Sequence, residues 1–257
     1  MDTGGLTIDL TGRVAVVTGG SRGIGRATAE WLARAGARVV LSYRARAAEA
    51  EAVAATIAAA GGQARAVAAD VRDPAAVVAL FDTAVAWGGG VDIVVANAGV
   101  WPAEPMPLAS MPADQWRITL DTNLVGALQT AQEAARRLRP EGRLVLVSST
   151  AAQRGEAFHA DYAASKAALH GLAKSLAVEL APRGITVNVV APGWVDTEMT
   201  ADALAGEARR AIEASIPLGR VATAEDVAGP IVFLCSPLAR HITGAVLSVN
   251  GGGVLCG

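Results

Sequence analysis

The chain has 257 residues, of which 52% are hydrophobic, and carries a formal net charge of −2. The charge balance gives no basic footprint for nucleic acid, no apolar run is long enough for a membrane span, and the first residues lack the pattern of a secretory signal. Two cysteines, Cys235 and Cys256, match no metal-site spacing, so we predict a cytoplasmic protein without disulfides and without a bound metal.

Seven short apolar segments predict β-strands. They are residues 13–19, 37–43, 64–70, 91–99, 142–149, 184–193 and 244–252. Helix-forming stretches that end in glycine, such as GRATAEWLARAG, separate them. Nearly continuous apolar strands alternating with helices indicate a parallel sheet covered on both faces. We therefore predict an α/β fold, a single doubly wound Rossmann domain over residues 1–257 with about seven parallel strands, in which residues 1–9 form an N-terminal extension.

The segment TGGSRGIG, residues 18–25, lies between the first predicted strand and a predicted helix. Gly19 permits a tight turn, Gly23 lets the backbone approach a pyrophosphate, and Gly25 allows close packing of the helix. The N-terminus of that helix favours phosphate groups. This context predicts a dinucleotide site that includes Gly19, Ser21, Arg22, Gly23, Ile24 and Gly25.

The end of the second predicted strand discriminates between two nicotinamide cofactors. An acid there would bind the ribose 2′-hydroxyl of NAD, whereas an arginine accommodates the 2′-phosphate of NADP. The chain has Tyr43 and Arg44 at this position, and Arg22 adds a second guanidinium. Because two cations and no acid would bind a doubly charged phosphate, we predict NADP(H) as the cofactor. The alternative is that both arginines are simply exposed.

The segment DYAASKAAL places Tyr162 and Lys166 four residues apart, on one face of a predicted helix. Tyrosine is a poor acid at neutral pH because its reference pKa is about 10. A lysine held near the hydroxyl by way of the cofactor's ribose would favour the phenolate and lower that pKa. The pair would then act as a general acid and base for hydride chemistry at a carbonyl. Taken alone, the spacing also fits an ordinary amphipathic helix.

The whole set of motifs resembles the short-chain dehydrogenase/reductase family over about residues 10–252. The motifs occur in the family's order: TGGSRGIG, AADV with Asp70, NAG at 97–99, Asn123 in LDTNLVG, Ser149, YAASK at 162–166 and PGWVDT at 192–197. The resemblance makes Tyr162 the proton donor and Lys166 the residue that lowers its pKa and holds the nicotinamide ribose. It makes Ser149, rather than Ser148, the ligand of the substrate carbonyl, and gives Asn123 the role of bending its helix and holding a water.

The resemblance also implies the remaining cofactor contacts. They are Asp70 and Val71 at the adenine ring, Asn97, Ala98 and Gly99 at the adenine ribose, and Pro192, Gly193, Val195 and Thr197 at the nicotinamide carboxamide. The chain departs from the family's pattern at Ala96, where an asparagine is common, and this puts one polar contact in doubt. The implied reaction is NADPH-dependent reduction of a ketone to a secondary alcohol. The alternatives are an NAD-dependent alcohol dehydrogenase working in the oxidative direction and a non-catalytic NADP-binding protein.

Three segments of the family form the substrate pocket, and here they supply Val100, Trp101, Ala151, Gln153, His159, Trp194 and Met199. Two tryptophans and a methionine favour an apolar substrate, aromatic or acyl-chain, whereas a lone histidine is more often structural than a ligand contact. The nearest subgroup by pattern is the 3-oxoacyl-thioester reductases, and the same scaffold also serves other secondary alcohols, sugars and steroids.

The resemblance implies two kinds of partner. A thioester substrate would arrive on CoA or on an acyl carrier protein. Arg183 matches a position that contacts the carrier, whereas Pro140 replaces a basic residue that is common there, and Arg137 and Arg139 could substitute for it. Members of the family are commonly homotetramers, so we expect four copies. The apolar C-terminal tail would lie either at an interface or against its own subunit.

Overall fold

Seven parallel strands form one sheet in the computed structural model, which describes residues 7–256. The strands are β1 (Val14–Val17), β2 (Arg38–Tyr43), β3 (Gln63–Ala68), β4 (Val91–Ala96), β5 (Leu138–Val147), β6 (Thr186–Pro192) and β7 (Val246–Val249). Their order in the sheet is β3-β2-β1-β4-β5-β6-β7. The predicted doubly wound fold and all seven predicted strands are confirmed. Of the predicted N-terminal extension, residues 1–6 lie outside the described residues, as does Gly257.

Helices connect the strands. They are α1 (Gly23–Arg34), α2 (Ala47–Ala59), α3 (Pro74–Gly88), α4 (Ala113–Leu120), α5 (Gly126–Arg137), α6 (Ala151–Arg154), α7 (Ala160–Leu180), α8 (Gly206–Ser215) and α9 (Ala224–Cys235). A π-helical turn, Asp121–Val125, joins α4 to α5 without a break. Helix α9 begins at a capping box, in which the side chains of Thr223 and Asp226 bond each other's backbone amides.

The sheet has a hydrophobic core on each face. Leu32 of α1, Val53 of α2 and Ile231 of α9 pack on one face. Phe81 of α3 and Leu169 of α7 pack on the other. Each large apolar side chain buried in this way stabilises the fold by roughly 1.5–3 kcal/mol. Strands β1, β4 and β6 are buried along their whole length, and their sequences are apolar except at Asp92, Thr186 and Asn188.

Several strand ends differ from the predicted ones, and two boundaries differ for reasons that the structure shows. Strand β5 begins at Leu138, four residues early, because Leu138 pairs with Val91 before the register shifts. Glu141, in this irregular stretch, has a positive φ of 61°. Helix α1 begins at Gly23 rather than after the glycine loop, so the end of the loop is already helical. The N-terminal amides of α1 therefore face the carboxyl end of the sheet.

Candidate active site

A deep cleft lies where the strand order reverses, at the carboxyl ends of β1 and β4. Ligands of open parallel sheets bind at this position. Every residue predicted to bind the cofactor lines the cleft, and so do Ser149, Val100 and Met199. Asn123 does not line it. Neighbouring strands are about 4.8 Å apart, so the segments after β2 and β5 are separated by roughly 14 Å across the sheet.

The glycine loop is folded so tightly that side chains are excluded from it. Gly19 has a φ of +66°, and a Cβ atom at Gly25 would lie 2.2 Å from the Gly19 carbonyl oxygen. A Cβ atom at Gly20 would lie 2.6 Å from Cβ of Leu41, a constraint that the sequence analysis missed. Arg22, the N-cap of α1, makes no side-chain capping bond, so the helix begins with amides that its own cap leaves unbonded.

The loop is tied to the end of β4 by two side chains. The Asn97 amide donates to the carbonyl oxygens of Thr18, at 2.9 Å, and Gly19, at 3.1 Å. The Thr18 hydroxyl accepts from the backbone amides of Asn97 and Ala98. Asn97 therefore fixes the loop through its side chain, in addition to the backbone role expected of it. Thr18 was missed because its partners lie 79 and 80 residues away in the chain.

Three arginines line the end of the cleft near β2. They are Arg22, Arg44 and Arg46, the last of which the sequence analysis missed. Arg46 forms an ion pair with Glu49 at 2.8 Å. Within the described residues, neither Arg22 nor Arg44 forms an ion pair, which leaves two guanidinium groups to meet an anion. On the neighbouring wall, hydrogen bonds from Arg72 lower the pKa of Asp70 and keep that carboxylate ionised.

Tyr162 and Lys166 project from α7 into the cleft beside Ser149. The Lys166 ammonium donates to the carbonyl oxygen of Val147 at 2.9 Å and lies 5.9 Å from the centroid of the Tyr162 ring. The first two turns of α7 thus bring together the two side chains that the motif predicts. Ser149 Oγ accepts a hydrogen bond from the backbone amide of Ala151, which fixes the hydroxyl at the start of α6.

The pKa of Tyr162 shifts in the direction opposite to the predicted one. Burial raises it to about 12, the negative charge of Glu156 adds to this, and a hydrogen bond with Ser149 works against it. Burial also lowers the pKa of Lys166 to about 8. Among the protein's own groups, desolvation of the phenol outweighs the other effects, and the lowering of this pKa by Lys166 stays a prediction. The predicted effect required the cofactor's ribose between the two side chains.

The two serines at the end of β5 have different surroundings. The Ser148 hydroxyl donates to the carbonyl oxygen of Lys166 and lies 2.9 Å from Nε2 of His170. It therefore fastens α7 to the sheet, in keeping with the structural role expected of it. Ser149 faces the same cleft and is hydrogen-bonded to Tyr162 of α7, and its role at the substrate carbonyl stays a prediction.

Asn123 lies behind the cleft, in the π-helical turn. Its amide oxygen accepts from the Val100 amide at 2.7 Å, and its amide nitrogen donates to the Val100 carbonyl at 2.9 Å and to Ser165 Oγ at 3.1 Å. The side chain thereby joins the segment after β4 to α7. A Cβ atom at Gly99 would lie 3.1 Å from Asn123 Oδ1 and 3.2 Å from Lys166 Nζ, so the two groups share one small space.

Comparisons with known proteins agree with this geometry. Residues 19–253 match the family described as enoyl-(acyl carrier protein) reductase. The chain is 43% identical over 250 residues to an L-rhamnose 1-dehydrogenase (NAD(P)(+)) of Azotobacter vinelandii, covering 95% of this chain and 97% of the relative. It is 41% identical over 244 residues to a 3-oxoacyl-(acyl-carrier-protein) reductase of Salmonella typhimurium, covering 94% and 97%.

A solved structure extends the comparison to three dimensions. A short-chain dehydrogenase from Burkholderia cenocepacia, crystallised in complex with NADP, superposes with a TM-score of 0.90. The two chains are 42% identical, and the match covers 95% of this chain and 98% of that one. The chain belongs to the short-chain dehydrogenase/reductase family. As a member of it, the protein is an NAD(P)-dependent oxidoreductase.

In this member of the family, the segment after β6 reaches across to the glycine loop. A Cβ atom at Gly23 would lie 3.2 Å from Cγ2 of Thr197. The Thr197 amide donates to Thr200 Oγ1, and the same hydroxyl donates to the carbonyl oxygen of Val195. Thr200 thus folds the segment into a turn over the cleft. The sequence analysis missed this threonine.

The predicted substrate pocket of this family member is only partly continuous with the cleft. Trp101, His159 and Trp194 form an aromatic cluster of their own, in which Trp101 stacks on His159 at 5.0 Å and meets Trp194 edge-on at 5.9 Å. Ala151 is buried and does not line the cleft. The Gln153 side chain exchanges hydrogen bonds with Ser248 of β7, so the prediction that it faces substrate is wrong.

The structure also bears on metal sites, membrane-spanning helices and disulfides. Among residues 7–256, no three His, Cys, Asp or Glu side chains converge as metal ligands would. In the same part of the chain, no helix is both long and apolar enough to cross a bilayer. Cys235 is buried and Cys256 is exposed, and neither forms a disulfide with a described residue.

Proposed function

We propose that this protein is an NADPH-dependent ketoreductase that converts a ketone to a secondary alcohol by hydride transfer. The observation that carries the proposal is a single cleft with two chemically distinct ends. Arg22 and Arg44 line the end near β2, whereas Ser149, Tyr162 and Lys166 line the end near β5. A dinucleotide lying across the switch point of the sheet would have its extra phosphate at the first end and its nicotinamide at the second.

The residues present fit such a cofactor. Gly19, Gly23 and Gly25 form a cradle that side chains would fill, and α1 points its unbonded amides into it. The arginines near β2 match a 2′-phosphate, because a guanidinium without a carboxylate partner binds a phosphate oxygen strongly. An acidic residue that would select NAD is missing from the sequence at the end of β2. These groups support NADP(H) over NAD(H).

In the proposed reaction, the bound cofactor supplies the hydride, and the chain's own residues handle the carbonyl oxygen. Ser149 Oγ and the Tyr162 hydroxyl would donate hydrogen bonds to that oxygen and polarise it. Because the pKa of Tyr162 is about 12, the phenol holds its proton at neutral pH and is ready to act as the acid. The charged Lys166 ammonium stabilises the phenolate that remains after proton transfer.

Asn123 has a positioning role in this proposal. By clamping Val100 and Ser165, it fixes the distance between the segment after β4 and the helix that carries Tyr162 and Lys166. Its proximity to Lys166 also fits the predicted path by which water would return the proton to Tyr162. Substitution of Asn123 should therefore alter geometry as well as stability.

The proposal is tested by Tyr162→Phe, which removes the acid and keeps the ring. We expect the rate of NADPH oxidation with a ketone to fall by about 100- to 10,000-fold, as general acid catalysis typically contributes that much. The dissociation constant for NADPH, measured by tryptophan fluorescence, should change less than threefold. A variant that binds NADPH and retains most of its activity would show that Tyr162 is not the proton donor.

The carrier-protein partner receives less support. The Arg183 guanidinium donates to the carbonyl oxygens of Ala135 and Leu138. Arg137 pairs with Asp82 and Glu133, and Arg139 bonds the Gly89 carbonyl oxygen. Because these arginines already have partners within the subunit, an acidic carrier would have to compete for them. We therefore propose a free small molecule, a ketone or alcohol, as the substrate.

We further propose that residues 1–257 act as one catalytic domain and assemble into a homotetramer in the cytoplasm. Apolar side chains remain exposed along one side of α4 and α5, namely Ile118, Val125 and Leu128. On α7, Val178 is 78% exposed. A second copy that covers these helices would remove that surface from water. The mass of the protein in solution is the direct test.

A further inference from the structure

We infer that Glu156 and His159 bind hydroxyl groups of the substrate, so that the compound this site accepts is polyhydroxylated, as a sugar or cyclic polyol is, rather than an acyl chain. The inference rests on the proposed function, because it names the substrate class of the same site. It also reverses the apolar substrate that Trp101 and Trp194 alone favoured. The group that changes the interpretation is Glu156, which the sequence analysis did not single out.

Glu156 is a largely buried carboxylate in the segment between Ser149 and Tyr162. One carboxylate oxygen, Oε1, accepts from the Trp101 indole N–H at 3.2 Å and lies 3.6 Å from Nδ1 of His159. Among the described residues, Oε2 has no hydrogen-bond partner, and the side chain is 17% exposed. The carboxylate lies close enough to the Tyr162 phenol for its charge to raise the pKa of that group. One acceptor oxygen of this carboxylate is therefore left without a protein partner, in the segment that leads into the helix of Tyr162.

His159 supplies a second polar group in the same place. Its side chain is 8% exposed, and Nε2 is buried without a hydrogen-bond partner among the described residues. Nδ1 lies 3.2 Å from the Ala157 carbonyl oxygen, an acceptor that requires the proton on Nδ1. In the neutral ring, Nε2 is then an acceptor. Stacking on Trp101 holds the imidazole in this orientation.

Two acceptors next to the catalytic tyrosine match a ligand that brings donors. A hydroxyl group would satisfy Glu156 Oε2 or His159 Nε2, and neighbouring hydroxyls on one ring could satisfy both. An alkyl chain would instead remove the carboxylate from water and leave both groups unpaired, which is unfavourable. Trp101 and Trp194, which meet edge-on in the same cluster, supply no further acceptor from their side chains.

The test measures alcohol oxidation by the intact enzyme. It compares polyhydroxylated substrates with substrates that carry a single hydroxyl group. Initial rates of NADP reduction are measured with L-rhamnose, D-glucose and myo-inositol, and with cyclohexanol and a 3-hydroxybutyryl thioester. We expect at least one polyhydroxylated compound to exceed both plain alcohols tenfold or more in kcat/KM. Glu156→Gln, whose amide oxygen can still accept from Trp101, should reduce that preference about tenfold. His159→Phe keeps the stacked ring, loses Nε2, and should also reduce it.

Glu104→Gln is the matched control, because Glu104 is an exposed acid in the segment that carries Trp101. It should keep the wild-type preference. The inference is overturned if cyclohexanol or the thioester is the better substrate, or if both Glu156→Gln and His159→Phe keep the preference within twofold. A different failure concerns the proposed function itself: an enzyme that binds NADP and oxidises none of the five compounds, nor reduces the corresponding ketones, is not the reductase proposed above.

Discussion

Lys166 is a charged group in a position that disfavours charge. Its side chain is buried, its ammonium donates to the Val147 carbonyl oxygen and to no other group among residues 7–256, and burial lowers its pKa from 10.5 to about 8. Below pH 8 the lysine is protonated in the folded and the unfolded protein, so the full cost of burying the charge is present. Between pH 8 and 10.5 only the unfolded protein keeps the proton, and the cost disappears. The charge that Lys166 needs for catalysis therefore lowers the free energy of unfolding at neutral pH.

We expect Lys166→Met to make the protein inactive and more stable at pH 7. The shift corresponds to roughly 3 kcal/mol, and loss of the bond to Val147 offsets about 1 kcal/mol of it. Thermal unfolding followed by circular dichroism should give a Tm several degrees above wild type at pH 7, with the difference vanishing near pH 10.5. A variant less stable than wild type at pH 7 would show that the buried ammonium is not a net cost.

Arg44 and Arg46 differ in whether a carboxylate already pairs with the guanidinium group that would bind a phosphate. Arg46 is paired with Glu49, whereas Arg44 forms no ion pair with a described residue. We expect Arg44→Ala to weaken NADPH binding about 10- to 100-fold and NADH binding less than threefold, because only NADPH carries the 2′-phosphate. Arg46→Ala should have a smaller effect, and Arg240→Ala, at an exposed site near the C-terminus, should have none. Equal losses for both cofactors at Arg44 would show that it does not contact that phosphate. Isothermal titration calorimetry measures all of these values.

At the scale of elements, strands and helices were predictable because their signals are local. The buried strands are apolar at most positions, and α7 carries its Tyr and Lys four residues apart. The missed features depend on contacts between distant segments. Leu41 forces Gly20 to lack a side chain, Thr18 binds the end of β4, and Ser248 draws Gln153 away from the cleft. A single sequence gives no signal for such pairs. The effect of burial on the pKa of Tyr162 was missed for a related reason, because burial is a property of the folded chain.

Asn123 joins the segment after β4 to α7, and substitution tests whether this contact matters for catalysis. Asn123→Ala would leave two backbone groups of Val100 and the Ser165 hydroxyl without their partner, at a cost of roughly 3 kcal/mol. Its control is Asn188→Ala, because Asn188 is equally buried and bonds Ile242 and Ala245 away from the cleft. We expect both variants to lower Tm and only Asn123→Ala to lower kcat at 25 °C. Equal activity in the two folded variants would remove Asn123 from the site.

For the whole molecule, a single subunit exposes two apolar surfaces that a further copy could cover. Strand β7 is an edge of the sheet, with Leu247 partly exposed and Leu255 of the tail 90% exposed. The α4–α5 side contributes Leu128, which is 42% exposed. Open sheet edges and apolar helix faces favour association with further copies. Two separate surfaces of this kind are what a tetramer with two-fold axes uses, because each axis needs its own self-complementary patch.

Leu128→Asp tests that arrangement, because it puts a charge in the middle of one patch. Four copies of the 26.0 kDa chain give about 104 kDa, and we expect wild type to sediment at that mass. The variant should sediment at half of it or less, since an unpaired buried carboxylate is far more costly than the contact it replaces.

Val85→Asp is the matched control: Val85 is 39% exposed on α3, outside both patches, and its substitution should leave the mass unchanged. A Leu128→Asp protein that still sediments near 104 kDa would place the interface elsewhere, and a wild-type mass of one chain would refute the assembly. Since α5 continues from the π-helical turn that carries Asn123, loss of the contact should also reduce kcat, which links assembly to the geometry of the active site.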